Sequence, residues 1–271
     1  MSSSGPDRLG IDWDDWFENG GYIPGAADYP ARWAEAAAGF RAAVASEIDL
    51  PYGPGERNRY DLFRPEGTPK GLVVFVHGGY WLRFDKSTWS HLAAGPLAAG
   101  WAVAMPSYTL APAARIADIG REIATAIAAA AERVPDGPVR LTGHSAGGHL
   151  AARMIAGDGL FPGAVAGRVD RVVPISGVFD LRLLQLTRMN EALRIDTGEA
   201  AAESPALLPR HGSARVTAWV GAAERPEFLR QTRMLAEAWD VPAVYEPGKH
   251  HFDVIAGLEA PDSPLTRALV V

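Results

Sequence analysis

The amino-acid sequence predicts an α/β fold, a mostly parallel sheet of about eight strands with helices on both faces. Three observations carry this. Short, continuous apolar runs at 71–76 and 101–105 have the character of strands buried on both faces, which show no polar alternation, and 169–175 reads as a further strand. Between and after them lie helical stretches, the Ala-rich 113–133 and the segment 226–239, and strands that alternate with helices pair in parallel. Finally, the apolar run ending at Leu141 leads through Gly143-His144-Ser145-Ala146-Gly147 into small residues as far as Ala156. That is a strand, a sharp turn and the opening of a helix.

Composition narrows the function classes. The chain has 271 residues, 48% of them hydrophobic, and reads as one domain over 1–271 with a sizeable core. Net charge is −6 with no basic block, so neither nucleic acid nor an anionic membrane is an expected partner. There are no cysteines, which excludes disulfides, thiolate catalysis and cysteine-ligated metals. Residues 1–10 lack the apolar stretch of a signal peptide, and no apolar run is long enough to span a bilayer. A cytoplasmic protein acting on a small-molecule substrate is expected, and the sequence is compatible with a homodimer.

The remaining elements follow in order. Residues 11–47 read as an N-terminal arm and then a helix. Trp13, Trp16 and Phe17 are apolar anchors, Gly20-Gly21 and Pro24-Gly25 are turns, and Trp33, Ala37, Phe40 and Val44 recur at helical spacing. The arm is read as simple anchoring, with coverage of a pocket as the alternative. Segments 48–52 and 59–63 flank Gly53-Pro54-Gly55 and predict an antiparallel pair. Further strands are expected at 139–142, 216–220 and 243–245, with a closing helix begun at 252–258. Residues 178–212 carry Leu, Arg, Asn and Glu at helical spacing with no strand. They read as a small helical insertion, placed where a lid is often found.

The turn around Ser145 fits G-x-S-x-G, which exposes a serine hydroxyl at the positive end of a helix. Its glycines are needed because strand and helix pass too close for side chains. Ser145 is the candidate nucleophile. The Gly-Gly turn of His77-Gly78-Gly79-Tyr80, directly after the buried strand 71–76, presents backbone N–H groups toward it. With the N–H of Ala146 these would form an oxyanion hole. A serine also needs a base and a group that orients the base, both from loops after late strands. Strand 216–220 is followed by Glu224, and strand 243–245 by His250-His251-Phe252-Asp253. Spacing does not choose between the two histidines. Adjacent histidines diverge, and no third ligand sits at metal-binding spacing, so neither a metal nor a cofactor is expected. His144 and His149 read as structural.

Taken together, His77-Gly78-Gly79-Tyr80-Trp81 and the Ser145 turn resemble the kynurenine formamidase (arylformamidase) branch of the α/β-hydrolases, a neighbour of the hormone-sensitive-lipase-like esterases. The stretch Pro174-Ile175-Ser176-Gly177-Val178-Phe179-Asp180-Leu181, Glu203-Ser204-Pro205, Pro226-Glu227-Phe228, Arg230-Gln231 and His251-Phe252-Asp253 extend the resemblance over nearly the whole chain. It implies an α/β-hydrolase fold with Ser145 as nucleophile. It selects His251, immediately before Phe252, as base, and puts the acid at Glu224, where formamidases usually have Asp. It assigns the oxyanion donors to Gly79 and Tyr80 beside Ala146.

Tyr80 and Trp81 directly follow the oxyanion turn and are expected to line the substrate site and stack on an aryl ring; packing of the loop is the alternative. Arg83 is a candidate for a substrate carboxylate. The implied reaction is hydrolysis of an aryl formamide such as N-formylkynurenine, giving formate and an aromatic amine, a step of tryptophan catabolism. A broad short-acyl carboxylesterase is the nearest rival. A ligand-binding protein that has lost turnover is a remote one, because every part of the machinery is present.

Overall fold

The computed structural model describes residues 10–157, 159–161 and 163–271; residues 1–9, on which the expectation of no signal peptide falls, lie outside them. The strands are β1 (Ser46–Pro51), β2 (Arg59–Phe63), β3 (Leu72–Val76), β4 (Ala102–Pro106), β5 (Val139–His144), β6 (Val169–Ile175), β7 (Arg215–Val216), β8 (Ala218–Gly221) and β9 (Ala243–Glu246). They form one sheet in the order β1-β2-β4-β3-β5-β6-β8-β9, with β7 also on β6. The pairs β1/β2 and β2/β4 are antiparallel, and every other pair is parallel. The expected strand 216–220 is two short pieces separated at Thr217, whose N–H still donates to the Val172 carbonyl at 3.1 Å.

The continuous apolar runs are explained by burial on both faces. Along β3, Leu72, Val74 and Val76 point into one core layer, and Val73 and Phe75 into the other, the period of two that a strand imposes. The first layer is closed by the helix Ile116–Arg133, which contributes Ile119, Ile123 and Ile127, and by Leu235 of the helix Pro226–Trp239. The second is closed by Leu265 and Leu269 of the helix Pro264–Val270, with Trp33 and Phe40 of the helix Tyr29–Ala43 packed against it.

Two expectations are corrected in detail. The closing segment is a 3₁₀ turn, Val254–Glu259, and the α-helix comes later at Pro264–Val270. The carbonyl of Gly257 accepts hydrogen bonds from the hydroxyls of Ser263 and Thr266, so side chains take the place of a continuing helical ladder. The insertion 178–212 is helical, in short 3₁₀ and α pieces, but it packs against the helices Ala146–Arg153 and Pro226–Trp239. Glu203 pairs with Arg153 at 2.9 Å inside the fold, and its carbonyl meets His149 Nε2 at 2.7 Å. Among the described residues no helix is long and apolar enough to cross a membrane.

Candidate active site

β5 ends at His144, and Ser145 follows with φ 55° and ψ −118°. A residue with a side chain avoids this region unless its surroundings impose it. Here the Ser145 N–H donates to the Ile175 carbonyl at 2.9 Å, and the helix Ala146–Arg153 starts at once. Strand and helix cross so closely that a Cβ on Gly147 would lie 1.9 Å from the Val76 carbonyl oxygen. The serine is thereby held at the helix N-terminus, where negative charge is favoured.

The loops after β8 and β9 bring Glu224 and His251 together. His251 Nδ1 donates to Glu224 Oε2 at 2.6 Å, and both side chains are almost wholly buried. The other carboxylate oxygen, Oε1, accepts from Ser176 Oγ at 2.5 Å and from the Gly221 N–H at 2.8 Å. His251 is flanked by the rings of His144 at 4.6 Å and Phe228 at 4.3 Å. Burial, and then the neighbouring His251, hold His144 well below the ordinary imidazole range, so it stands beside His251 as a neutral ring. His250 points elsewhere: its Nε2 meets Tyr29 Oη at 3.2 Å, and its Nδ1 accepts the N–H of Phe252 at 3.1 Å.

After β3 the chain turns through three consecutive residues of positive φ, Gly79 (109°), Tyr80 (56°) and Trp81 (59°). Gly79 is required there, since a Cβ would lie 2.4 Å from the Arg83 carbonyl oxygen. Among the described residues, no hydrogen bond is donated by the backbone N–H of Gly79, Tyr80 or Ala146. The turn also separates the two aromatic side chains expected at the substrate site. Tyr80 does line the cavity in front of Ser145. Trp81 does not: it is 0% exposed and packs edge-on against His149 at 5.1 Å. The left-handed turn directs it into the core, so its assignment to substrate binding is corrected.

That cavity has a volume of about 500 Å³ and is lined by Ser145, His144 and His251 together with the rings of Trp33, Tyr80, Phe84, Trp89 and Phe252. Arg83 and Glu18 also line it.

The BD-FAE family model matches residues 60–207. The kynurenine formamidase of Drosophila melanogaster is 30% identical over 81% of this chain and 79% of that protein, and that of Salmo salar is 27% identical over 82% and 80%. A solved structure from Silicibacter sp. TM1040, provisionally described as a thioesterase, is 53% identical and superposes with a TM-score of 0.94 over 97% of this chain and 100% of that one. The chain is a kynurenine formamidase-like α/β-hydrolase of the BD-FAE family. The fold is thus that of a hydrolase.

In this formamidase-like hydrolase the outer wall of the cavity is the N-terminal arm, through Glu18, Gly20, Gly21, Ala26, Ala27 and Pro30. No residue of the insertion 178–212 lines it. The arm is anchored by Phe17, buried edge-on against Phe228, and strapped by Asp15 to Arg225 Nη2 at 2.6 Å. The Arg225 guanidinium also lies 3.5 Å over the Tyr22 ring. The arm and the Gly79–Trp81 turn are joined: Tyr80 Oη donates to the Phe17 carbonyl at 2.8 Å and accepts from Asn19 Nδ2 at 3.2 Å. Ser176, Asn19 and Arg225 were not read from the sequence as site residues. Ser176 lay inside a motif that resembles formamidases, and that was its only signal.

Proposed function

We propose that this chain is a serine hydrolase that releases formate from an aryl formamide, N-formylkynurenine being the model substrate. Ser145 Oγ attacks the formyl carbon while His251 Nε2 takes its proton, and Glu224 holds the ring through Nδ1 and stabilises the imidazolium. The N–H groups of Gly79, Tyr80 and Ala146 receive the oxyanion. His251 then gives the proton to the aryl nitrogen, the C–N bond breaks and a formyl-serine remains. A water deprotonated by His251 attacks the formyl-serine; formate leaves and Ser145 recovers its proton. The observation that carries this reading is the buried His251–Glu224 hydrogen bond of 2.6 Å facing the same cavity as a serine held at positive φ.

The aromatic lining of the cavity and the activity named for the curated relatives support an aryl leaving group. A second reading, cleavage of a short acyl thioester or ester, is favoured by the description of the 53% identical relative. The test is one series of formyl, acetyl and butyryl amides of a single aryl amine, run beside short acyl thioesters and p-nitrophenyl esters. Formamide hydrolysis predicts a steep fall in kcat/KM along the amide series, roughly 1–3 kcal/mol for each step that a tight acyl pocket rejects. A flat or rising series, with thioesters or esters preferred, would replace it with the second reading.

A further inference from the structure

Glutamate in the orienting position has one methylene more than aspartate, and so one more torsion to hold fixed. The geometry points to Ser176 as the positioning residue that removes this freedom. Ser176 follows β6, is wholly buried and has φ 50°, a backbone region that a serine occupies only when its surroundings impose it. Its N–H donates to the Trp219 carbonyl at 2.7 Å, while the preceding carbonyl, that of Ile175, accepts from Ser145 N–H at 2.9 Å. Residues 175 and 176 therefore tie the Ser145 turn on one side to β8, the strand before Glu224, on the other.

Among the described residues the Ser176 side chain makes one hydrogen bond, to Glu224 Oε1 at 2.5 Å. The Gly221 N–H donates to the same oxygen at 2.8 Å. Two donors on Oε1 set the plane of the carboxylate and leave Oε2 for His251 Nδ1. A strained residue is thus kept at a place where its hydroxyl serves only Glu224, which is the relation between strain and function that an outlier of this kind suggests.

This inference rests on the triad reading proposed above, and the experiment separates the two. Ser176→Ala, Ser176→Gly, Glu224→Gln and the double variant Ser176→Ala/Glu224→Gln are compared by kcat and KM on one aryl formamide and one p-nitrophenyl ester, after thermal melts establish folding. Both Ser176 variants are expected to lose kcat by about 10–100-fold, the scale seen for partners that orient reacting groups elsewhere, with KM within about twofold. Equal losses in both assign the effect to the hydroxyl, because glycine relieves the backbone and alanine does not.

In the Glu224→Gln background Ser176→Ala should add little, since the carboxylate it served is gone. Should the alanine variant fail to fold, the glycine variant carries the same comparison. Near-native kcat in the Ser176 variants beside a severe Glu224→Gln loss would overturn the role of Ser176 and leave the triad standing. Full additivity in the double variant would do the same. A silent Glu224→Gln would overturn the triad reading and this inference with it.

Discussion

The two walls of the cavity are held by different forces. The inner wall, at the carboxyl ends of β5, β8 and β9, is locked by backbone crossings and buried hydrogen bonds. Gly147 has no room for a Cβ, and Glu224 accepts three donors while wholly buried. The outer wall, the arm, is held by the buried side chains of Phe17, Asn19 and Ile23, by the hydrogen bonds of Tyr80, and by partly exposed ion pairs such as Asp15–Arg225 and Asp14–Arg188. Surface pairs contribute only ~0.2–1 kcal/mol each and weaken with salt. The rigid wall suits chemistry that tolerates little displacement. The lightly held wall, floored by Gly20, Gly21, Ala26 and Ala27, suits admission and selection of the leaving group. Tyr80 is where they meet, with its backbone in the positive-φ turn after β3 and its hydroxyl on the arm.

Changes to the inner wall should be the most damaging. Ser145→Ala is expected to lower turnover by several orders of magnitude while the melting temperature stays near wild type, and His251→Ala to match it, because nucleophile and base act as a unit. His250→Ala, which removes a ring bonded to Tyr29, should cost far less. Steady-state kinetics on the three purified variants check this, and a reversed order of the two histidines would reassign the base. Glu224→Gln comes next, with a loss of roughly 10³–10⁴-fold in kcat; a silent substitution would direct attention to Glu227 and Asp253.

Changes to the outer wall should show in KM. Phe17→Ala removes a ring whose burial is worth ~3–5 kcal/mol, and is expected to raise KM at least about tenfold with a smaller change in kcat. Asp15→Ala removes a partly exposed ion pair and should raise KM only about 1.4- to fivefold, the range that ~0.2–1 kcal/mol allows. Added salt should mimic it in the wild type and have less effect in the variant. Equal losses of kcat in both would mean that the arm belongs to the catalytic wall.

The smallest effect concerns pH and again falls on the scaffold. Burial lowers His77 and His149 from the ordinary 6.5 to about 4. The unfolded chain therefore takes up these protons first. The stability they contribute is complete above about 6.5 and is lost as pH falls toward 4. Urea unfolding at pH 7.5 and 4.5 should show the lower midpoint at 4.5; an unchanged midpoint would contradict the burial of these rings.

Much of the inner wall was legible because its constraints are local. The strand runs, the G-x-S-x-G turn and the chain order of Ser145, Glu224 and His251 each depend on a few neighbouring residues. The choice of His251 over His250 came from the resemblance, and the structure pairs that ring with Glu224. What stayed hidden depends on how distant segments meet. Ser176 gains its partner only when β6 and β8 are adjacent in the sheet. Trp81 could not be oriented without knowing that three residues in succession adopt positive φ. The arm's aromatics left anchoring and coverage of a pocket as alternatives, and its small residues gave no sign of their own that they face the cavity.

The central claim is that Ser145 is an activated nucleophile in this cavity. Its most direct test is reaction of the purified protein with a fluorophosphonate, followed by intact-mass measurement and peptide mapping. The account predicts one adduct per chain on the peptide containing Ser145, formed rapidly in the wild type, slowly in Glu224→Gln and not at all in Ser145→Ala. A wild-type chain that stays unmodified, or an adduct that maps to another residue, would contradict it.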